Sequence, residues 1–185
     1  MSSNAIALAV VEALDRAGVP YMLVGSYSSN LYGVPRSTKD AGFVAELGDR
    51  SATVLRPFLS EQFTIESQMS FETVTGTYRF ILRHRDSAFK VELFLLSDDA
   101  HDRSWFERRR RGEIDGRIVW VPTAEDVVVT KLRWSKHGAR RKDVEDVENV
   151  LAVTRPENLD LSYIRHWCDQ HGTRDLFEQS LAGIL

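Results

Sequence analysis

The 185-residue chain has a single cysteine, Cys168, which excludes an internal disulfide and any zinc site built from paired cysteines. A chain so poor in thiols suits a reducing compartment, and we expect a cytoplasmic protein. No apolar run approaches the roughly 20 residues that a membrane-spanning helix needs. The first residues lack the basic stretch, apolar core and cleavage site of a secretory leader, so we expect no membrane association. Charge of one sign is also scarce: 24 Lys and Arg against 27 Asp and Glu leave a formal charge of −3. That balance argues against a general nucleic-acid coat and leaves room for local basic patches. His84, His101, His137, His166 and His171 show no metal-ligand spacing and receive no role.

What is present reads as one folded unit of helices and short strands, with 43% hydrophobic residues and enough chain to bury a core. Residues 3–17 carry apolar side chains at helical spacing behind a serine cap and end at Gly18. Tyr21 to Val24 is a short apolar run, the pattern of a buried strand. A helix from about Ser51 to Leu59 follows later, and then the period changes to two. Phe63 to Met69, Thr77 to His84 and Phe89 to Leu96 read as strands, with turns at Thr75-Gly76 and Asp86-Ser87. Asp98 to Arg111 reads as a charged helix and Arg117 to Val121 as a further strand. Helices then run from Thr123 to Gly138, from Arg141 to Val153 with Val144, Val147 and Leu151 inward, from Asp160 to His171, and from Arg174 to Leu185. This succession predicts an α/β (α+β) fold, a mixed sheet flanked by helices.

The stretch from Tyr21 to Glu46 carries the chemistry. A strand entering a helix through Gly25-Ser26 gathers free backbone N–H groups and a hydroxyl at one point, which suits a phosphate. After Pro35, the segment Asp40-Ala41-Gly42-Phe43-Val44-Ala45 alternates as a strand, so Asp40 and Gly42 face one side. Glu92 lies among apolar residues on what should be an interior strand, and a buried carboxylate needs a partner. It is either a site residue or the ion-pair partner of Lys90 or Arg79. The run Arg108 to Arg111 is either a grip for an RNA backbone or a solvated helix end that complements the helix dipole. Lys131 follows Glu125 and Asp126 on the same helix and is a candidate surface partner for either of them. Asp143 and Asp146, three apart on one helix face, form the kind of pair that is usually solvated.

Val24-Gly25-Ser26 followed by Asp40-Ala41-x-Phe43 resembles the signature of the nucleotidyltransferase-fold (polymerase beta-like) superfamily. The later Thr123-Ala124-Glu125-Asp126 to Lys131-Leu132 and Lys142-Asp143-Val144-Glu145-Asp146 resemble the helical half of AbiEii and MNT-like nucleotidyltransferases. The resemblance implies a core over residues 1–122 with a C-terminal helical region, 123–185, packed on it. It implies an NTP substrate, Mg2+ or Mn2+ held by Asp40 and Glu92, and transfer of a nucleoside monophosphate. Gly25, Ser26, Arg36, Lys39 and Lys131 would contact phosphate, with Asp143 near the chemistry or the acceptor. The acceptor would be a tRNA or other RNA, a protein or a small molecule, and a toxin–antitoxin partner is implied by family alone.

The chain departs from the signature at Gly42, where the family has its second carboxylate. In the family that pair sits about 6.6 Å apart, two residues of strand rise, and holds two metal ions. Two functions are therefore expected to compete: a nucleotidyltransferase with an impaired metal site, and a degenerate, antitoxin-like module that binds a nucleotide or a partner without chemistry.

Overall fold

The computed structural model describes residues 1–138 and 141–184. Helix α1 (Ser3–Arg16) is capped by the Ser2 hydroxyl, which accepts from the Ala5 N–H at 3.2 Å. It lays Ile6, Val10, Ala13 and Leu14 on the sheet. Strand β1 (Tyr21–Val24) leads through Gly25 into α2 (Ser26–Tyr32), and β2 (Asp40–Ala45) returns antiparallel to β1. After a 3-10 turn (Ala52–Phe58) come β3 (Phe63–Ile65), β4 (Ser70–Glu72), β5 (Thr77–His84) and β6 (Lys90–Leu95). The strand order is β1-β2-β6-β5-β3, with β4 also on β5, and β2 with β6 is the parallel pair. Alternation sorts the sheet into two faces. Tyr21, Leu23, Ala41, Phe43, Val91 and Leu93 bury one face under α1. Asp40, Gly42, Lys90, Glu92 and Arg79 fall on the other, where they line one cavity.

Helix α3 (Ala100–Glu107) and the hairpin β7 (Arg110–Ile114) with β8 (Arg117–Val121) follow. Then come α4 (Ala124–Gly138), α5 (Arg141–Thr154), α6 (Leu161–His171) and α7 (Arg174–Ala182). The last four helices share an apolar cluster of Val128, Leu132, Val147, Leu151, Ile164 and Phe177. Leu185, the expected end of the last helix, lies outside the described residues.

Three expectations are corrected. The strand expected over Phe63 to Met69 is two short edge strands, β3 and β4, which pair with opposite ends of β5. The intervening Glu66-Ser67-Gln68 has no apolar alternation to hold it to the sheet. The arginine run is a helix end only at Arg108, the C-cap of α3: the helix stops at Glu107, and Arg110 and Arg111 belong to β7. Their guanidinium groups lie over aromatic rings, Arg110 above Tyr32 at 4.9 Å and Arg111 above Trp120 at 5.5 Å. On α5, Val144 is only half-buried, whereas Asp143 and Asp146 are buried beside Val147 and Val150.

Candidate functional site

Gly25 joins β1 to α2 with φ +71°, a backbone region that a side chain disfavours. The turn presents Ser26, whose Oγ accepts from Arg36 Nη2 at 3.0 Å. Arg36 in turn clamps Asp146 with two hydrogen bonds, Nε to Oδ1 at 2.7 Å and Nη2 to Oδ2 at 2.8 Å. Lys131 Nζ donates to Asp146 Oδ2 at 2.7 Å and to Asp143 Oδ1 at 3.0 Å. Burial works to raise the Asp146 carboxyl, and the bonds from Arg36 and Lys131 outweigh it and hold the group below the usual carboxylate range.

These contacts revise the sequence reading of α4 and α5. Lys131 is buried and turned away from Glu125 and Asp126, and the Asp143–Asp146 pair is not solvated. Asp146 ties the Gly25-Ser26 turn to both helices, a role sequence reasoning missed. The available signal was weak: two acids on the same helical stripe as Val147, Val150 and Leu151.

Across the cavity, Asp40 opens β2 and its Oδ1 accepts from Thr38 Oγ1 at 3.3 Å. The parallel register sets Asp40 beside Lys90 and Gly42 beside Glu92. Glu92 makes both ion pairs weighed from the sequence and also lines the cavity: Oε1 accepts from Lys90 Nζ at 2.8 Å and from Arg79 Nη1 at 3.1 Å. At Gly42, a Cβ would meet Val24 Cγ2 at 3.2 Å and Phe94 Cε2 at 3.7 Å. Val24 is the residue directly opposite Gly42 on β1, so a side chain at position 42 requires Val24 to give by a few tenths of an ångström.

The cavity measures about 530 Å³ and draws its lining from the β1–α2 turn, the Arg36–Asp40 segment, β5, β6, α4 and α5. All the candidate residues border it: Gly25, Ser26, Arg36, Lys39, Asp40, Glu92, Lys131 and Asp143. One wall is apolar, formed by Val24, Val44, Phe94, Trp105 and Trp134. Arg133, also lining it, is held by Asp102 at 3.0 Å.

The structure also assembles a group that the sequence spacing gave no reason to expect. Asp99, His101 and His171 bring potential ligand atoms within 4.8 Å of one another. His101 is buried against Trp105, Trp167 and His171, and neither of its ring nitrogens has a hydrogen-bond partner among the described residues. Desolvation, the His171 ring and Arg133 push its pKa down to about 3. Arg133 Nη1 stands 3.6 Å from Asp99 Oδ1, so a positive charge already occupies the edge of the group.

No family model matches this sequence, and no curated protein matches it. Solved structures do. ANT(2'')-Ia in complex with adenylyl-2''-tobramycin is similar with a TM-score of 0.63 at 13% identity, covering 95% of this chain and 99% of that one. The "putative nucleotidyltransferase from H. pylori" gives 0.55 at 16% identity, over 98% and 80% of the two chains. The lincosamide antibiotic adenylyltransferase LnuA, lincomycin-bound, gives 0.53 at 14%, over 83% and 98%. At these identities the likeness is one of architecture, and on it, together with the helix-flanked mixed sheet, this chain has the nucleotidyltransferase fold.

Proposed function

We propose that this chain binds a nucleoside triphosphate in the cavity and is a degenerate member of the nucleotidyltransferase fold, a nucleotide-binding module without efficient transfer. Gly25 and Ser26 would meet phosphate, with Lys39, Arg36 and Lys131 supplying positive charge. The observation that carries the reading is the state of the metal site. A two-metal centre needs carboxylates free to bridge ions about 4 Å apart, and magnesium takes roughly six oxygen ligands at near-octahedral geometry. Here position 42 offers no oxygen and Val24 crowds it, while one oxygen of Glu92 is bound by Lys90 and Arg79. Asp40 is left as the carboxylate with no cation on it among the described residues. This donor set does not fit a magnesium or manganese pair. Calorimetric titration with ATP, GTP, CTP and UTP, run beside a pyrophosphate-release assay, tests the proposal. We expect micromolar binding of at least one NTP and no pyrophosphate above background with magnesium. Failure of all four to bind, or steady turnover, overturns it.

One observation favours a second reading, transfer of a nucleoside monophosphate. Asp40 and Glu92 stand on neighbouring strands and face the same cavity as Ser26 and Lys131. The ligands named with two of the similar structures, tobramycin and lincomycin, make a small-molecule acceptor the first to try, ahead of tRNA or a protein. The order Gly25-Ser26, Asp40, Glu92, Lys131, Asp143 supports an AbiEii/MNT-like placement, for which a toxin–antitoxin partner would be sought by co-purification. It also supports a division into a core, 1–122, and a helical region, 123–185.

A further inference from the structure

We propose that Lys90 and Arg79 do the work of the missing metal, so that the cavity grips the phosphates of a nucleotide with side-chain cations alone and takes it free of magnesium. The inference rests on the nucleotide-binding reading above and concerns how the same site achieves it.

Its basis is where the charges stand. Lys90 lies beside Asp40 in the β2–β6 register, and Arg79 comes from β5 on the far side of β6. Both reach one Glu92 oxygen, at 2.8 and 3.1 Å, so two cations share one carboxylate and leave a positive excess facing the cavity. A divalent ion on the other Glu92 oxygen would sit beside these groups, where like charges oppose it. Elsewhere in the lining Arg36, Lys39, Lys131 and Lys142 face Asp40 and Asp143, with Asp146 just behind them. Lys39 and Lys142 make no ion pair among the described residues. In a chain of net charge −3, this is a local concentration of positive charge, which draws an anion and focuses it. The apolar wall of Phe94, Trp105 and Trp134 offers a surface on which a flat base can pack. A polyphosphate carrying its full negative charge suits this lining better than one half-neutralised by magnesium.

The test is calorimetry of ATP, GTP, CTP and UTP into the full chain at constant ionic strength, once with EDTA and once with excess Mg2+. We expect the bound nucleotide to bind equally well or more tightly in EDTA. Lys90→Ala and Arg79→Ala should each weaken EDTA binding about tenfold or more, the usual worth of a charge-assisted hydrogen bond, while Lys90→Arg keeps most of it. Glu92→Gln gives the opposite sign: releasing two cations from their carboxylate should tighten binding, whereas loss of a metal ligand would weaken it. Circular dichroism checks that each variant folds. Binding that appears only with Mg2+, or that falls in Glu92→Gln, overturns the inference and leaves the nucleotide reading standing. Absence of binding by all four nucleotides in both buffers overturns both.

Discussion

Val24 Cγ2 stands 3.2 Å from where a Cβ at position 42 would be, closer than side chains normally pack, so a carboxylate there requires Val24 to give by a few tenths of an ångström. Gly42→Asp is expected to lower the unfolding free energy by about 1 kcal/mol, as crowding against Val24 does, and to leave pyrophosphate release absent, because Lys90 and Arg79 still hold Glu92. Urea titration reads the first effect; a Gly42→Asp chain as stable as the parent would show that Val24 yields freely. Asp146→Ala strips a buried partner from both Arg36 and Lys131, and breaking a buried pair from one side costs about 3–5 kcal/mol. The same titration checks it, and Asp146→Asn should cost less, since the amide oxygen still accepts. The residues of this site were unevenly legible. Gly25, Asp40 and Glu92 stand out because their types are costly where the periodicity puts them: a glycine at a strand end, acids within apolar strands. Asp146 does not, because three-residue spacing on a helix looks the same whether the acids meet water or, as here, Arg36 and Lys131 arriving from 110 and 15 residues away.

Among the elements, those with a clean period were readable and those held by tertiary contacts were not. Thr77–His84 was legible to its ends because its apolar run Phe80-Ile81-Leu82 lies between turn signals at Thr75-Gly76 and Asp86-Ser87, and α1 because its stripe and serine cap agree. The run from Arg108 to Arg111 has no periodicity. Its place is set by rings remote in sequence, Tyr163 under Arg108 at 3.9 Å and Trp120 under Arg109 at 5.3 Å, so its change from helix to strand was invisible. The contact of α3 with α6 was equally hidden, and it makes a pH-dependent joint. His101 is held down to about 3 chiefly by desolvation, and His171 to about 4 by desolvation with Arg133. Asp102 and Asp126, about 4 Å from His101, oppose that effect without reversing it. Both imidazoles are therefore neutral in the folded chain while the unfolded chain takes up protons near pH 6.5. Their contribution is complete above pH 6.5 and is lost as pH falls towards 4, by at most about 1.4 kcal/mol per unit for each group. Chemical denaturation at pH 7.5 and pH 5, in EDTA, should show that loss. His101→Phe should flatten it; an unchanged slope would assign the acid sensitivity to other groups.

On the scale of the whole molecule, the order of motifs along the chain anticipates the architecture, but not how the late helices meet the early strands. Short α2 is the hinge of that meeting. Tyr32 Oη donates to the Pro122 carbonyl at 2.7 Å, its own carbonyl accepts from Thr154 Oγ1 at 3.3 Å, and the Arg36–Asp146–Lys131 network lies alongside. A boundary near residue 122 rests on the resemblance alone, whereas these contacts cross it. If the two regions are energetically one, scanning calorimetry gives a single endotherm. Phe177→Ala, in the apolar cluster of the last four helices, should then lower that one transition, by a stability loss of about 3–5 kcal/mol, rather than melt the helices separately. The nucleotide adds a second probe of the same point, since its cavity takes walls from both regions. At a concentration 100 times its Kd, a ligand adds about 2.7 kcal/mol, and for a chain of this size each kcal/mol moves Tm by about 2–4 °C. A rise of roughly 5–11 °C in the whole endotherm is thus expected. An endotherm that splits, with only its sheet-region part responding to nucleotide, would mean that 1–122 folds and binds by itself and that Lys131 and Asp143 stand outside the binding unit.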